Sequence, residues 1–159
     1  MASPRPNIYA DEPTLKMPDW GVSGSRVGAG AGAKELAATV YELAPGASGM
    51  RLHAHYGNEE MFVVLDGTPT LRTHDAEEQL QRGDVVSCLR GREGTHTFAN
   101  RSSEPALLLA ISTAHSPDVV IYPEQEMVGV ATRHPFDPVP EDGDAGVVGM
   151  FRAADNQRP

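Results

Sequence analysis

Turn signals recur along this chain every eight to twelve residues: Pro45-Gly46, Asp66-Gly67, Arg82-Gly83-Asp84, Gly91 and Gly94, and Ser102 to Pro105. Between them lie short segments rich in Val, Leu, Thr and aromatic residues. That rhythm works against long helices, because each proline or glycine interrupts or weakens the helical ladder. With 13 prolines and 16 glycines in 159 residues, no stretch beyond about ten residues keeps a helical apolar period. The pattern predicts an all-β fold, a sandwich or small barrel of antiparallel strands. Strands are expected at 37–43, 50–55, 60–65, 70–73, 79–81, 84–89, 96–100 and 106–112, with weaker ones at 119–122 and 127–131.

The flanks differ in texture. Residues 1–34 hold four prolines and five glycines, ending in Gly28-Ala29-Gly30-Ala31-Gly32. They are expected to form an irregular arm lying against the core or a partner subunit, with Trp20 either anchoring it or partly exposed. The barrel domain is assigned to 35–132. A tail at 133–159 is again rich in Pro, Asp and Gly, and its apolar patch at 147–151 is expected to dock.

Thirteen basic residues stand against 22 acidic ones, a formal net charge of −9. Such a field repels phosphate backbones and anionic lipid, so neither nucleic acid nor a membrane is an expected partner. The longest apolar run, 106–111, is far too short to span a bilayer. The first residues carry no apolar secretory core, and the single Cys88 gives no reason for an oxidising compartment. A cytoplasmic protein is expected.

The segment Met50-Arg51-Leu52-His53-Ala54-His55-Tyr56-Gly57-Asn58-Glu59-Glu60 carries the chemistry. On a strand, His53 and His55 project to one face, and strand parity extends that face to Arg51. A short connection through Tyr56-Gly57-Asn58 can fold Glu60 back beside them, with Glu59 on the opposite face. His96 opens a later strand. Three imidazoles and a carboxylate suit a borderline divalent metal. Parity also turns Phe62 and Val64 inward with Glu60, and Phe98 and Asn100 inward with His96. Met61, Val63 and Leu65 then face outward and need a cover. Arg51 either grips a substrate carboxylate or phosphate, or pairs with an acid such as Glu59 or Glu42 or lies in water at the rim. His74, His115 and His134 are read as loop residues without a partner at ligand spacing, and Cys88 as a buried, unreactive thiol.

The joint spacing is more specific than its parts. His-x-His is followed after four residues by Glu60 and after six more by Gly67; Gly83, Gly91, His96 and Asn100 come later. This resembles the two motifs of the cupin superfamily, over roughly residues 36–122. The second motif departs from the pattern: two extra residues separate Gly83 from His96, and Leu89 stands where proline is usual. Gly46 lies one residue farther from His53 than in the first motif. The wording around them also resembles an uncharacterised branch of small bacterial single-domain cupins.

The resemblance implies a double-stranded β-helix, or jelly-roll barrel, holding a divalent transition metal on His53, His55, Glu60 and His96. Iron, manganese, zinc, nickel and copper are all permitted by that ligand set. Residue parity adds a pocket with Phe62, Phe98 and, beyond the family pattern, Arg51 as substrate-binding residues, and the resemblance suggests a homodimer that covers Met61, Val63 and Leu65 with help from the arm. A small-molecule enzyme is expected, an oxygenase, isomerase, or lyase or cyclase. No catalytic base is visible beyond Glu60 itself, swinging off the metal as a proton carrier. The alternatives are a non-catalytic module that binds a sugar or other small ligand, and a structural cupin with vestigial histidines.

Overall fold

The structure is a computed structural model that describes residues 5–9, 12–133, 146 and 148–153. Its strands run β1 (Leu15–Met17), β2 (Val22–Ser25), β3 (Leu36–Leu43), β4 (Ala54–His55), β5 (Glu60–Asp66), β6 (Thr70–Thr73), β7 (Glu77–Gln79), β8 (Val85–Cys88), β9 (His96–Ala99), β10 (Ala106–Thr113), β11 (Asp118–Tyr122), β12 (Met127–Ala131) and β13 (Val148–Arg152). Among the described residues one short α-helix, α1 (Val27–Gly30), lies between β2 and β3, and three single 3-10 turns lie elsewhere. All pairings are antiparallel, in sheets ordered β1-β2-β3-β10-β5-β8, β13-β12-β11-β4 and β7-β6-β9. The all-β expectation holds.

The large sheet is built on β10, an apolar strand paired along its full length with β3 and on its other side with β5. Alternation is clear in β5: Phe62 and Val64 are buried while Met61 is 39 % exposed. Phe62, Val64, Leu71, Leu80, Phe98 and Leu108 join one apolar cluster between the sheets. Each such side chain contributes about 1.5–3 kcal/mol through burial. The turn after β5 requires glycine at position 67. Its φ is +79°, and a Cβ there would stand 2.6 Å from the Pro105 carbonyl oxygen and 2.7 Å from Ala106 Cα.

The second motif ends in a structural residue. Asn100 is wholly buried, and its amide donates to the carbonyls of Leu43 and Glu104. Its side-chain oxygen accepts from the Ser102 amide and hydroxyl. Asn100 thus ties the β9–β10 connection to the end of β3.

The arm is more regular than its sequence indicates. It joins the large sheet through β1 and β2, which extend that sheet beyond β3. Strands of three and four residues between prolines and glycines are too short to leave a periodic signal. Residues 148–151 of the tail patch lie in β13, which pairs along β12. His134 lies outside the described residues.

Candidate metal centre

Three backbone arrangements bring the expected ligands together. His53 and His96 face each other across an isolated two-residue bridge, each amide donating to the other's carbonyl at 3.1 and 2.8 Å. Directly opposed residues share a face, and their ring centroids are 4.6 Å apart. His55 sits on β4, which pairs with β11 opposite Val120. Glu60 opens β5 in the large sheet, so its carboxylate reaches the histidines from the other wall.

One ligand atom each from His53, Glu60 and His96 falls within 4.8 Å of the others. His55 stands beside this group rather than within it, its Nε2 3.5 Å from Glu60 Oε2. The histidines are oriented by their second nitrogens. Nδ1–H of His53 donates to the Arg51 carbonyl, and that of His96 to the Gly94 carbonyl, both at 2.8 Å. His55 Nδ1 donates to Asp118 Oδ2 at 2.6 Å. Each ring therefore has Nδ1 committed to the fold and Nε2 left as a donor atom, the arrangement by which outer hydrogen bonds fix a metal-binding tautomer.

The fit to a cation rests on two buried atoms. Glu60 Oε2 and His96 Nε2 have no hydrogen-bond partner, although they face each other at 3.2 Å. Leaving such groups desolvated and unmatched costs about 1–3 kcal/mol each, a penalty that a cation between them removes. Two nitrogen donors and an oxygen donor with a third nitrogen alongside are what a borderline divalent ion takes.

The electrostatics agree. Burial, then the neighbouring charges of His96 and His55, pull His53 down to about 4, so it is neutral at physiological pH. For His96, burial acts downward, but contacts with Cys88 and Glu60 outweigh it and the net shift is upward. Burial acts upward on Glu60, yet the closeness of His96 and then the charge of His55 hold its carboxyl well below the usual range. His55 is likewise raised: burial opposes, and the Asp118 and Glu60 carboxylates prevail.

The centre opens into a cavity of about 490 Å³, within the range of small-ligand pockets. Phe62 and Phe98, expected as lining, are there, their rings 4.6 Å apart and Phe62 also 5.1 Å from His96. Arg51 is not among the lining residues and its side chain is exposed. Regular pairing begins only at Ala54, so strand alternation does not carry back from His53 to Arg51. The inward orientation expected for Arg51 is thereby corrected.

Sequence reading missed several groups. Asp118, which orients His55 and accepts from the Gly57 amide, stands 63 residues from that histidine and is joined to it only by β4–β11 pairing. Tyr122, on the same strand, stacks over His53 at 6.1 Å. Tyr41 also lines the cavity, and burial together with the Glu60 charge pushes its hydroxyl up to about 12. His115 is in the lining too, its Nδ1 donating to the Gly57 carbonyl at 3.2 Å.

A cupin domain profile matches residues 39–112. Among solved structures, a sugar phosphate isomerase of Silicibacter pomeroyi is 25 % identical, covering 77 % of this chain and 83 % of that one with a TM-score of 0.67. A protein of Acidithiobacillus ferrooxidans is 22 % identical, covering 96 % and 92 % at a TM-score of 0.77. A polyketide cyclase of Streptomyces resistomycificus is 20 % identical over 62 % and 69 %, at 0.53. The last two likenesses concern the fold alone. No curated protein matches the sequence. Motif spacing, double-stranded β-helix and domain profile converge: the chain carries a cupin domain over residues 39–112.

Proposed function

We propose that the protein is a metal-dependent enzyme of small molecules, an isomerase of sugar phosphate-like hydroxycarbonyl compounds, with His53, His55, Glu60 and His96 holding one divalent transition metal. The observation that carries this reading is the pair of buried, unpartnered atoms Glu60 Oε2 and His96 Nε2, gathered with a ligand atom of His53. The 25 % identity to the Silicibacter isomerase, over most of both chains, supports the choice of reaction among those the superfamily implies. When bound, the ion supplies Lewis acidity that polarises a substrate carbonyl.

The chain's own residues provide the setting. Phe62 and Phe98 line the cavity beside His96 with apolar rings, a setting that disfavours water at the reacting end. Tyr41, its hydroxyl held protonated, offers an O–H donor to a substrate oxygen. Asp118 keeps the His55 ring in place during turnover.

An isomerase of this kind moves a proton between neighbouring carbons. Metal-loaded protein incubated with aldose phosphates in deuterated water should yield the ketose, with deuterium at the carbon beside the carbonyl, seen by NMR. Fully loaded protein that gives neither product nor exchange with five- and six-carbon aldose phosphates would overturn the isomerase reading. Oxygen consumption on 1,3-diketones in that case would point to an oxygenase, and binding without turnover to a ligand-holding module.

A further inference from the structure

The connection between two of the candidate ligands holds a further imidazole. His55 ends β4 and Glu60 opens β5, so Tyr56, Gly57, Asn58 and Glu59 alone lie between them. Three of these residues are bonded to the end of β10 and to the chain just beyond it. The Thr113 amide donates to the Glu59 carbonyl at 3.1 Å, and the Glu59 amide to Thr113 Oγ1 at 3.2 Å. Asn58 is buried and grips the main chain of His115 twice. Its Oδ1 accepts from the His115 amide at 2.7 Å, and its Nδ2 donates to the His115 carbonyl at 3.1 Å. The Gly57 carbonyl accepts from His115 Nδ1 at 3.2 Å.

Glycine at position 57 permits this approach. A Cβ there would stand 2.8 Å from Asp118 Oδ1 and 2.9 Å from the Pro117 carbonyl oxygen. The His115 ring is exposed and borders the cavity. A carbonyl only accepts, so Nδ1 carries the ring hydrogen and Nε2 the lone pair. Among the described residues, no hydrogen bond or ion pair engages that Nε2. The Asp118 carboxylate, by contrast, is already engaged with His55 and the Gly57 amide. His115 thus keeps one basic nitrogen open, on a ring held to the connection that joins His55 to Glu60. Main chain and Nδ1 are both fixed, and so little freedom is lost when such a ring acts on a bound substrate.

We propose that His115 is the general base and acid of the reaction, its Nε2 carrying a proton between neighbouring carbons of an aldose phosphate. The role rests on the isomerase reading. Nε2 takes the proton from C2; the C2–H electron pair becomes the C1–C2 double bond, and the carbonyl π pair moves to O1. The hydroxyl proton of O2 passes to O1. The imidazolium then returns its proton to C1 as an O2 pair forms the new carbonyl. The aldose becomes the ketose, with no oxidant or reductant consumed.

The test compares metal-loaded wild type with His115→Gln and His115→Ala on five- and six-carbon aldose phosphates. His115→Gln, at an exposed position, should keep the wild-type melting temperature and metal content. Its kcat should fall by about 100-fold or more, with KM little changed. Exchange of the C2 hydrogen with deuterated water should fall in step, and added imidazole should restore part of the His115→Ala turnover. A second measurement needs neither metal nor turnover. In mildly alkaline buffer, long-range proton–nitrogen NMR of the metal-free chain should place the His115 ring hydrogen on Nδ1, the signals being assigned by their loss in His115→Gln. Wild-type turnover and exchange in His115→Gln would overturn the proposal, and so would a ring hydrogen on Nε2. In both cases wild-type turnover remains and the isomerase reading stands. Loaded wild-type protein that converts none of these sugars would overturn the two together.

Discussion

At the scale of the residue, the division of labour within each imidazole does most of the work. Nδ1 belongs to the scaffold and Nε2 to the centre, so acids and carbonyls outside the site set its chemistry. Asp118→Asn should therefore weaken metal affinity by about 10–100-fold without unfolding the protein, read by competition with a chelator; unchanged affinity would remove Asp118 from the site. The protonation states give a second expectation. Contacts with Cys88 and Glu60 raise His96 against the effect of burial, whereas burial keeps His53 neutral near neutral pH. Metal uptake at neutral pH should therefore release protons, measurable by calorimetry in buffers of different ionisation enthalpy; zero release would contradict it. The stability of the metal-free form follows by linkage. Because the His53 pKa is depressed to about 4, the unfolded chain binds a proton that the folded one refuses between about 6.5 and 4, so stability should fall as pH drops through that window. The raised His96 acts in the other direction, its contribution present at low pH and lost as pH climbs through its folded value. A melting temperature that stays flat between pH 6.5 and 4 would count against a buried, neutral His53.

At the scale of the element, legibility followed alternation. Strands β3, β5, β6, β10 and β12 lie at or within a residue or two of their expected bounds, because each alternates or is fully apolar between clear turns. Glu60, Phe62, Phe98 and His96 line the cavity. The failures share a cause as well. Arg51 sits where no strand exists to carry parity, and β7 pairs two residues earlier than its sequence indicates because Glu77 and Glu78 carry no apolar signal. Asp118, Tyr122 and the cavity lining by Arg26 and Lys34 depend on pairings between distant segments, which no local pattern encodes. Asn100 was legible as part of a motif, but its role came only with the structure. Replacing it with alanine would orphan the Leu43 carbonyl and unpin the turn beyond β9. A loss of about 2–4 kcal/mol is expected, seen as a lower denaturation midpoint, with metal stoichiometry retained below the transition. A midpoint within error of wild type would show that the clamp is dispensable.

At the scale of the whole molecule, two faces of the large sheet serve different ends. The inner face carries Glu60, Tyr41 and Phe62 to the cavity. The outer face leaves Met61 39 % and Val85 60 % exposed, with Val63 directly opposite Val85 across β5 and β8. A homodimer that covers this strip is the expected assembly, and Met61→Glu with Val85→Glu should convert it to monomer by light scattering. A monomeric wild type would refute that assembly and leave the centre untouched. Among the described residues, no helix is long and apolar enough to cross a membrane. Everything functional returns to whether His53, His55, Glu60 and His96 close on an ion. Equilibrium dialysis of the intact chain against manganese, iron, cobalt, nickel, copper and zinc in turn, followed by elemental analysis, answers this directly. One ion per chain should be retained for at least one of these metals and lost from His53→Ala and His96→Ala variants that remain folded. A wild-type protein that retains none of them, or variants that retain the ion as well as wild type does, would contradict the metal centre.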